Sequence, residues 1–324
     1  MRFCAYGVER CADFIDIGDV DMETIEDEIL RLKEERNAVI LAHVYQPDEI
    51  QEIADFTGDS FKLSVEASKT DADVIVFCGV RFMAETANIL SPDKITLLPA
   101  EDAGCQMFDD TLLPRVKAEL AAHPEYRLVS YVNTPASVKA ISDVCCTSSN
   151  AVKVIESMPE DAEILFVPDP NLASYTAERT TRHIHVLEGG CPIHGNLRTD
   201  VLQRVKDEHP GALVLMHPEC GPELRAMADY IGSTSGIVDY AAASDCKEFI
   251  IATEMGVFYQ LEEACHRQGK TFYPASRSML CVNMKKTNLT KVRDALRTLE
   301  PRVVVPEDVR KKAHAALSRM LEIK

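Results

Sequence analysis

Long apolar runs are missing from this sequence. No run approaches the roughly 18 consecutive apolar residues of a membrane-spanning helix, and the first stretch, MRFCAYGVERCADF, has no signal-peptide core. Basic residues are also scarce, since 35 lysines and arginines stand against 52 aspartates and glutamates, for a formal net charge of −17. A chain this acidic cannot neutralise the phosphates of nucleic acid or of an anionic membrane. We therefore expect a cytoplasmic protein with neither nucleic acid nor membrane as a partner.

Cysteine, in contrast, is abundant. The chain has 11 cysteines in 324 residues, which is an odd number. In a reducing compartment this density indicates metal ligation or catalysis rather than a disulfide framework. With 46% hydrophobic and 27% charged residues, the composition is that of a globular protein large enough for two or three modest domains.

One pattern recurs three times along the chain. In each copy an apolar strand ends at an aromatic ring, and these rings are 88 and 86 residues apart: His43 in AVILAHVYQ, Tyr131 in RLVSYVNTP and His217 in ALVLMHPEC. An aspartate and then a small hydroxyl residue follow in the same register. The aspartates are Asp55, Asp143 and Asp229, and the hydroxyl residues are Ser60, Ser148 and Thr234. A fixed period of this length predicts one structural unit used three times.

Each copy also ends in a loop that carries one cysteine. After a second apolar strand, a helix and a third strand, the loops hold Cys105, Cys191 and Cys281, at intervals of 86 and 90 residues. An amphipathic helix, such as residues 21–37, precedes each first strand, so the predicted unit is helix, strand, helix, helix, strand, helix, strand. Strands that alternate with helices predict an α/β protein with parallel sheets covered on both faces.

The repeat divides the chain into three α/β units and a tail. We predict units over residues 21–110, 111–197 and 198–286, each ending just after its cysteine loop. Two closing helices in residues 287–324 are expected to pack back on the first unit. The first 20 residues contain Cys4 and Cys11 and have no counterpart in the repeat, so the sequence assigns them no role.

Polar side chains collect where the first strand of each unit ends. The pairs are His43 with Tyr45, Tyr131 with Asn133, and His217 with Glu219. Ligands of parallel α/β sheets bind at this edge, so these side chains are candidate substrate ligands. Glu219 is the candidate catalytic acid/base, with His217 beside it as a second catalytic candidate. Tyr45 and Tyr131 are expected to assist proton movement. Positioning of the substrate by hydrogen bonds alone is the alternative role for the tyrosines.

Small hydroxyl residues precede helices near the same edge. Ser60, Ser148, Ser233 and Thr234 are predicted helix N-caps, where backbone N–H groups and the helix dipole favour an anion. Plain helix capping is the alternative explanation. Their repetition in register favours a role in binding a substrate anion.

The three loop cysteines predict a metal centre. Thiolates of Cys105, Cys191 and Cys281 suit a [4Fe–4S] cluster in which one iron lacks a protein ligand and acts as a Lewis acid, as in hydro-lyases. Cys78 and Cys246 lie in or beside apolar strands and are best explained as small hydrophobic residues. The sequence assigns no role to Cys145, Cys146 or Cys220.

Two alternatives to a catalytic cluster remain at this point. Cys191 and His194, together with His217 and Cys220, have spacings that a zinc site accepts, although this set leaves Cys105 and Cys281 unexplained. A non-catalytic iron–sulfur redox sensor would also use cysteine loops, but it has little need for polar strand ends and hydroxyl caps around the centre.

Motifs along nearly the whole chain resemble those of one known family. They include AHVYQPDEIQEIADFTGDS, VIVFCGVRFMAETANIL, AGCQM, YVNTPASVKAISDVCCTSSNAV, FVPDPNLASY, CPIHG, HPEC, ADYIGSTS, TEMG and C-x-x-MK. Together, from about residue 24 to 297, they closely resemble quinolinate synthase. The resemblance implies three pseudo-symmetric three-layer α/β/α domains around a central active site, with a [4Fe–4S] cluster on Cys105, Cys191 and Cys281.

The resemblance also implies the reaction. Iminoaspartate would condense with dihydroxyacetone phosphate to quinolinate, with loss of phosphate and two waters, on the route to NAD. An iminoaspartate-producing aspartate oxidase or dehydrogenase would then be a functional partner. The pocket would be lined by the polar residues above: His43, Tyr45, Ser60, Tyr131, Asn133, Ser148, His217, Glu219, Ser233 and Thr234. Some relatives carry C-x-x-C-x-x-C at the last ligand, where this chain has Ala275 and Ser278, so we expect no disulfide switch there.

Overall fold

The computed structural model describes residues 23–187 and 189–323. Cys4 and Cys11, to which the sequence assigns no role, lie outside these residues. No helix among the described residues is both long and apolar enough to cross a lipid bilayer.

Three similar units follow one another along the chain. The first contains α1 (Ile25–Glu35), β1 (Ala38–His43), α2 (Asp48–Glu52), β2 (Phe56–Gly58), α3 (Ser60–Lys69), β3 (Val74–Cys78), α4 (Arg81–Leu90) and β4 (Ile95–Leu97). The second contains α5 (Leu112–Ala122), β5 (Arg127–Tyr131), α6 (Ala136–Lys139), β6 (Val144–Cys146), α7 (Ala151–Glu156), β7 (Glu163–Val167), α8 (Pro170–Ala177) and β8 (His183–Val186). Helix α9 (Pro192–Gly195) follows directly after Cys191. The third unit contains α10 (Thr199–Glu208), β9 (Leu213–Met216), α11 (Pro222–Arg225), β10 (Tyr230–Ile231), α12 (Thr234–Ala243), β11 (Glu248–Ala252), α13 (Val257–Ala264) and β12 (Thr271–Pro274). Helices α14 (Leu289–Thr298) and α15 (Glu307–Glu322) close the chain.

Each unit forms one four-stranded, all-parallel sheet with the same strand order. The orders are β2-β1-β3-β4, β6-β5-β7-β8 and β10-β9-β11-β12. The predicted fold class, an α/β protein with three small parallel sheets, is therefore confirmed. The predicted divisions near residues 110, 197 and 286 remain a prediction about domain boundaries.

The predicted three-strand unit is wrong in one respect. A short edge strand, β2, β6 or β10, lies between the two helices that were expected to be consecutive. These strands have only two or three residues, so they are too short to produce an alternating pattern. Each is held by parallel pairing with the first strand of its unit, as in Ala42 with Thr57.

The repeated aspartates attach this edge to the first strand. The carboxylates of Asp55, Asp143 and Asp229 each accept a hydrogen bond at 2.8 Å from a backbone N–H of β1, β5 or β9. The backbone N–H of each aspartate donates at 2.9 Å to the carbonyl of that same strand residue. Because the backbone N–H and carbonyl of one strand residue are both satisfied, the aspartate continues the sheet where the chain turns. The role of this repeated aspartate is structural.

Both faces of each sheet are covered by apolar contacts. In β1, Val39 and Leu41 face a core that extends into the second unit, whereas Ile40 and Ala42 face a separate core beneath α1 and α14. The third unit has its own two cores, one on each side of β9 and β11. Alternating strand residues thus point into two helix layers, which gives the three-layer arrangement.

The closing helices occupy two different places. Helix α14 lies against α1 and β3 of the first unit. Helix α15 contacts α4 of the first unit and also α6 and β6 of the second. Its apolar residues, including Ala313, Leu317 and Met320, enter the core that these two units share. The helix therefore covers the joint between them rather than one unit alone.

Candidate active site

The carboxyl ends of the three sheets face one central cavity. Eleven of the predicted site residues line it: His43, Tyr45, Cys105, Tyr131, Asn133, Ser148, Cys191, His217, Glu219, Thr234 and Cys281. Ser60 and Ser233 are not among the lining residues. The three in-register rings and the three in-register cysteines therefore meet at one place, as convergent loops of related units would.

The N-cap prediction is wrong for Ser60, Ser148 and Thr234. The N-cap of α3 is Asp59, whose carboxylate accepts two backbone N–H groups at 3.0 and 3.1 Å, and Ser60 is the first helical residue. Helix α7 begins three residues after Ser148, which lies in the preceding turn. Ser233 does cap α12, accepting from a backbone N–H at 3.2 Å, and Thr234 follows as the first helical residue. The error arises because an aspartate caps as well as a serine, so the motif GDS contains two candidates.

Two histidines have the same local geometry in the first and third units. The Nδ1 atom of His43 accepts from the backbone N–H of Tyr45 at 3.1 Å, and Nδ1 of His217 accepts from that of Glu219 at 3.4 Å. Burial lowers the pKa of His43 to about 4 and that of His217 to about 3. Both rings are therefore neutral near pH 7, and a neutral ring that accepts at Nδ1 carries its proton on Nε2.

Glu219 joins the second and third units at the cavity wall. Its Oε1 accepts from the Tyr131 hydroxyl at 2.7 Å, and its Oε2 lies 2.9 Å from Nδ1 of His194. Burial opposes ionisation of Glu219, but the imidazoles of His217 and His194 and these two hydrogen bonds outweigh it and hold the pKa below the usual glutamate value. Glu219 is therefore a carboxylate at neutral pH, able to accept a proton.

A chain of hydrogen bonds continues from His194 to the other tyrosine. Nε2 of His194 is 2.9 Å from the Thr253 hydroxyl, which is 2.7 Å from the Tyr45 hydroxyl, which in turn is 2.8 Å from that of Thr234. Burial raises the pKa of Tyr45 well above its usual value, and burial together with Glu219 does the same for Tyr131. Both tyrosines therefore keep their protons at neutral pH and are linked through His194 and Glu219.

The cysteine loops are held by buried carboxylates in two of the three units. The backbone N–H of Cys191 donates to Asp169 at 3.0 Å, and that of Cys281 donates to Glu254 at 2.9 Å. Asp169 and Glu254 occupy equivalent positions, six residues after the starts of β7 and β11, whereas the first unit has Val80 there. Each carboxylate fixes the direction of a cysteine backbone. The loop before Cys191 also needs glycine, because Gly190 has a φ of +118°.

The three thiols suit a soft metal centre. All three cysteines are free and partly accessible at the cavity. Burial raises the pKa of each thiol, to about 12 for Cys105, so the thiolates require a bound metal to persist at neutral pH. Ligand atoms of Cys191, His194 and Glu219 also lie within 4.8 Å of one another, so the cavity wall can hold a metal ion.

The four-residue zinc site suggested by the sequence is not assembled. Cys220 is fully buried in a core of the third unit, where its thiol is 3.7 Å from the carbonyl of Ala252, and it does not line the cavity. The direction of the chain after β9 places Glu219 at the cavity instead. His194 and Cys191 remain together, with Nδ1 of His194 3.3 Å from the Cys191 sulfur.

Several residues at the site were missed by sequence reasoning. Asp59 and Glu254 line the cavity, and Thr253 lies directly behind Tyr45. The sequence does indicate Asp59, because this residue occupies in the first unit the position that the N-cap Ser233 occupies in the third. Glu254 has an acidic counterpart in Asp169 of the second unit, a signal present in two of the three copies that was not used. Thr253 has no repeated partner of the same type, so the pattern gave no reason to select it.

Three parallel-sheet units around a cavity lined by thiols, imidazoles and a carboxylate define an α/β enzyme with a site that can hold a metal. Residues 27–322 match the family model described as Quinolinate synthetase A protein. The chain is 52% identical over 301 residues to the quinolinate synthase of Geobacter metallireducens, covering 93% of this chain and 98% of the relative. It is 49% identical over 303 residues to that of Methanoregula boonei, covering 94% and 99%. The chain belongs to the quinolinate synthase family, whose members are enzymes of NAD biosynthesis.

Proposed function

We propose that this chain condenses iminoaspartate with dihydroxyacetone phosphate to form quinolinate, phosphate and two waters. The observation that carries the proposal is the convergence of Cys105, Cys191 and Cys281 on the cavity that also holds Glu219 and the two tyrosines. Three thiols beside a carboxylate and two protonated tyrosines suit a dehydration, in which an oxygen must be activated and protons must be moved.

The three cysteines would hold a [4Fe–4S] cluster with one iron free of protein ligands. They fit this group because each comes from a separate loop, none is paired in a disulfide, and thiolate is the ligand that iron–sulfur clusters require. When bound, the cluster supplies a Lewis acid for the oxygen of a leaving hydroxyl.

Neutral donors and one unpaired acceptor would bind the substrates. His43 and His217 offer Nε2–H groups to carboxylate or carbonyl oxygens. The amide oxygen of Asn133 is buried without a partner in the protein, so it calls for a donor such as the imine N–H or a substrate hydroxyl. Thr234 and the first turn of α12 would hold an anionic group, since backbone N–H groups there are free of helical partners. We assign Ser60 and Ser233 no direct contact with substrate.

Proton movement would centre on Glu219. As a carboxylate it accepts a proton from the substrate side, and Tyr131 and His194 hold its two oxygens in place. Tyr45 lies at the other end of the hydrogen-bonded chain through Thr253, so it can donate to a leaving oxygen while the chain stabilises the charge that remains.

The cellular setting follows from the chemistry. Iminoaspartate hydrolyses readily as an imine, so an aspartate oxidase or dehydrogenase that supplies it would be a functional partner. We propose that the enzyme acts in the cytoplasm.

Single cysteine replacements test the cluster and the function together. Cys105→Ser, Cys191→Ser and Cys281→Ser, purified without oxygen, are each expected to lose the visible absorption, the bound iron and sulfide, and the activity. Cys78→Ser and Cys265→Ser are the controls, because these thiols are buried away from the cavity and are expected to keep all three properties. A Cys105→Ser protein with full iron content and absorption would overturn the assignment.

A further inference from the structure

Three ligand atoms already lie in the arrangement of a mononuclear metal site. The Cys191 sulfur, Nδ1 of His194 and Oε2 of Glu219 are all within 4.8 Å of one another. Nδ1 of His194 is 3.3 Å from the sulfur and 2.9 Å from the carboxylate oxygen. Tetrahedral zinc with bonds of about 2.0–2.3 Å spaces its ligand atoms roughly 3.3–3.8 Å apart. The His194–Cys191 pair already has this spacing, and a slight separation of Glu219 from His194 brings that pair to it as well.

We propose that the cluster-free chain binds one borderline-soft divalent ion, such as Zn²⁺ or Co²⁺, through Cys191, His194 and Glu219, and that this ion blocks cluster loading. One thiolate, one imidazole and one carboxylate are a mixed ligand set that zinc accepts, and three protein ligands leave a fourth position for water. Cys191 belongs to both centres, so one sulfur cannot serve the ion and the cluster at once.

The surrounding hydrogen bonds favour this ion. The Tyr131 hydroxyl donates to Oε1 of Glu219 and leaves Oε2 for the metal. When Nδ1 of His194 binds the ion, its proton is carried on Nε2, which is 2.9 Å from the Thr253 hydroxyl and can donate to it. The Cys191 thiol releases one proton to solvent as its sulfur binds the ion, whereas His194 keeps its proton on the other ring nitrogen. His194 and Glu219 are nearly completely buried, which shields the ion from exchange with solvent.

This site differs from both the cluster and the zinc set suggested by the sequence. The cluster would use Cys105 and Cys281, which are not members of the group within 4.8 Å. The sequence-based zinc set used Cys220, which lies in the core of the third unit. The three sites can therefore be separated by single substitutions.

Co²⁺ serves as the spectroscopic probe. Titration of the full-length, cluster-free chain without oxygen is expected to give one bound ion, a thiolate-to-cobalt absorption band and the visible bands of tetrahedral cobalt. Cys191→Ser is expected to abolish the thiolate band, and His194→Gln is expected to abolish the tetrahedral bands. Cys220→Ser and Cys105→Ser are expected to keep both. Circular dichroism checks that each variant is folded, and Glu219→Ala, expected to weaken binding, replaces His194→Gln if that variant does not fold. An unchanged spectrum in His194→Gln and Glu219→Ala, or its loss in Cys220→Ser, would overturn the site.

Competition with cluster assembly is the second measurement. Wild-type chain loaded with Zn²⁺ is expected to take up several-fold less iron and sulfide on reconstitution than the zinc-free chain. His194→Gln keeps all three cluster cysteines, so its iron uptake is expected to be insensitive to Zn²⁺, and equal inhibition of both proteins would contradict the blocking step. This step rests on the proposed cluster, whereas the Co²⁺ titration does not. Failure of the zinc-free wild type to take up iron would overturn the cluster, while the cobalt spectrum would still decide the mononuclear site.

Discussion

At the residue scale, Glu219 combines the shape of a hydrogen-bond acceptor with the ability to take up a proton. Glu219→Gln keeps nearly the same shape but cannot ionise, so kcat should fall about 10²-fold or more while KM changes little. Thr234→Ala removes a hydroxyl from the end of α12 and should instead raise KM more than it lowers kcat. Anaerobic steady-state kinetics on variants with full visible absorption makes the comparison. An unchanged kcat in Glu219→Gln would move the proton-transfer role to Tyr45 or Tyr131.

The buried histidines predict a pH dependence of stability. His43 has a folded-state pKa of about 4, lowered by burial, against a usual value near 6.5. Between these two values the unfolded chain binds more protons than the folded one, so the free energy of unfolding rises with pH from about 4 to 6.5 and gains nothing from His43 above that range. His43→Asn should lose less stability than wild type when the pH is lowered from 7 to 5. Denaturant unfolding of both cluster-free proteins measures the difference, and parallel losses would contradict the assignment of a neutral buried ring.

At the element scale, the repeated aspartate joins each edge strand to its sheet. Asp143→Ala leaves the backbone N–H of Leu128 without its side-chain acceptor and should destabilise the protein by about 1 kcal/mol. Asp143→Asn retains a carbonyl oxygen and should recover most of that loss. Chemical denaturation under identical conditions checks both values. Equal destabilisation by alanine and asparagine would show that the carboxylate charge, rather than the acceptor, matters.

The sequence predicted the elements that repeat over many residues and missed the ones that do not. The helix that became α1 has acids at its start and a base in its last turn, and it begins with Thr24 in a capping box, so its position follows from local chemistry. The edge strands β2, β6 and β10 depend on pairing with a neighbour that is distant in sequence. Their two or three residues carry no period of their own, so only the folded sheet reveals them.

The candidate site divides in the same way. His43, Tyr131 and His217 could be selected from the sequence because they occupy the same position in the three repeats. Thr253 has its role only because the third unit brings it behind Tyr45 of the first, 208 residues away. Cys220 illustrates the converse error, since its spacing from His217 fits a zinc motif but the turn after β9 buries it in a core.

At the scale of the whole molecule, the first and third units meet closely behind Tyr45. A Cβ atom on Gly256 would lie 2.6 Å from the Cα atom of Tyr45, which is backbone and cannot move aside. Gly256→Ala should therefore separate the two units locally. It should lower the free energy of unfolding by about 1–3 kcal/mol and should also lower the activity. Thermal unfolding and kcat are the measurements.

The control for this joint is Gly221→Ala. No atom lies within 4 Å of the position that a Cβ would take there. The backbone of Gly221 has a φ of −59°, which alanine adopts without strain. This variant should keep both stability and activity, and a comparable loss in the two proteins would rule out the close approach to Tyr45 as the cause.

The wide spacing of the three loop cysteines also has a consequence in time. Cys105 and Cys281 are separated by 176 positions of the chain. At about 5–20 residues per second, a ribosome makes the first of these thiols roughly 9–35 s before the last. A centre that needs all three cannot form on the nascent chain during that interval. For the proposed cluster, delivery of iron and sulfide would wait until synthesis is nearly complete, and until then the early thiols are open to oxidants and to stray metal ions.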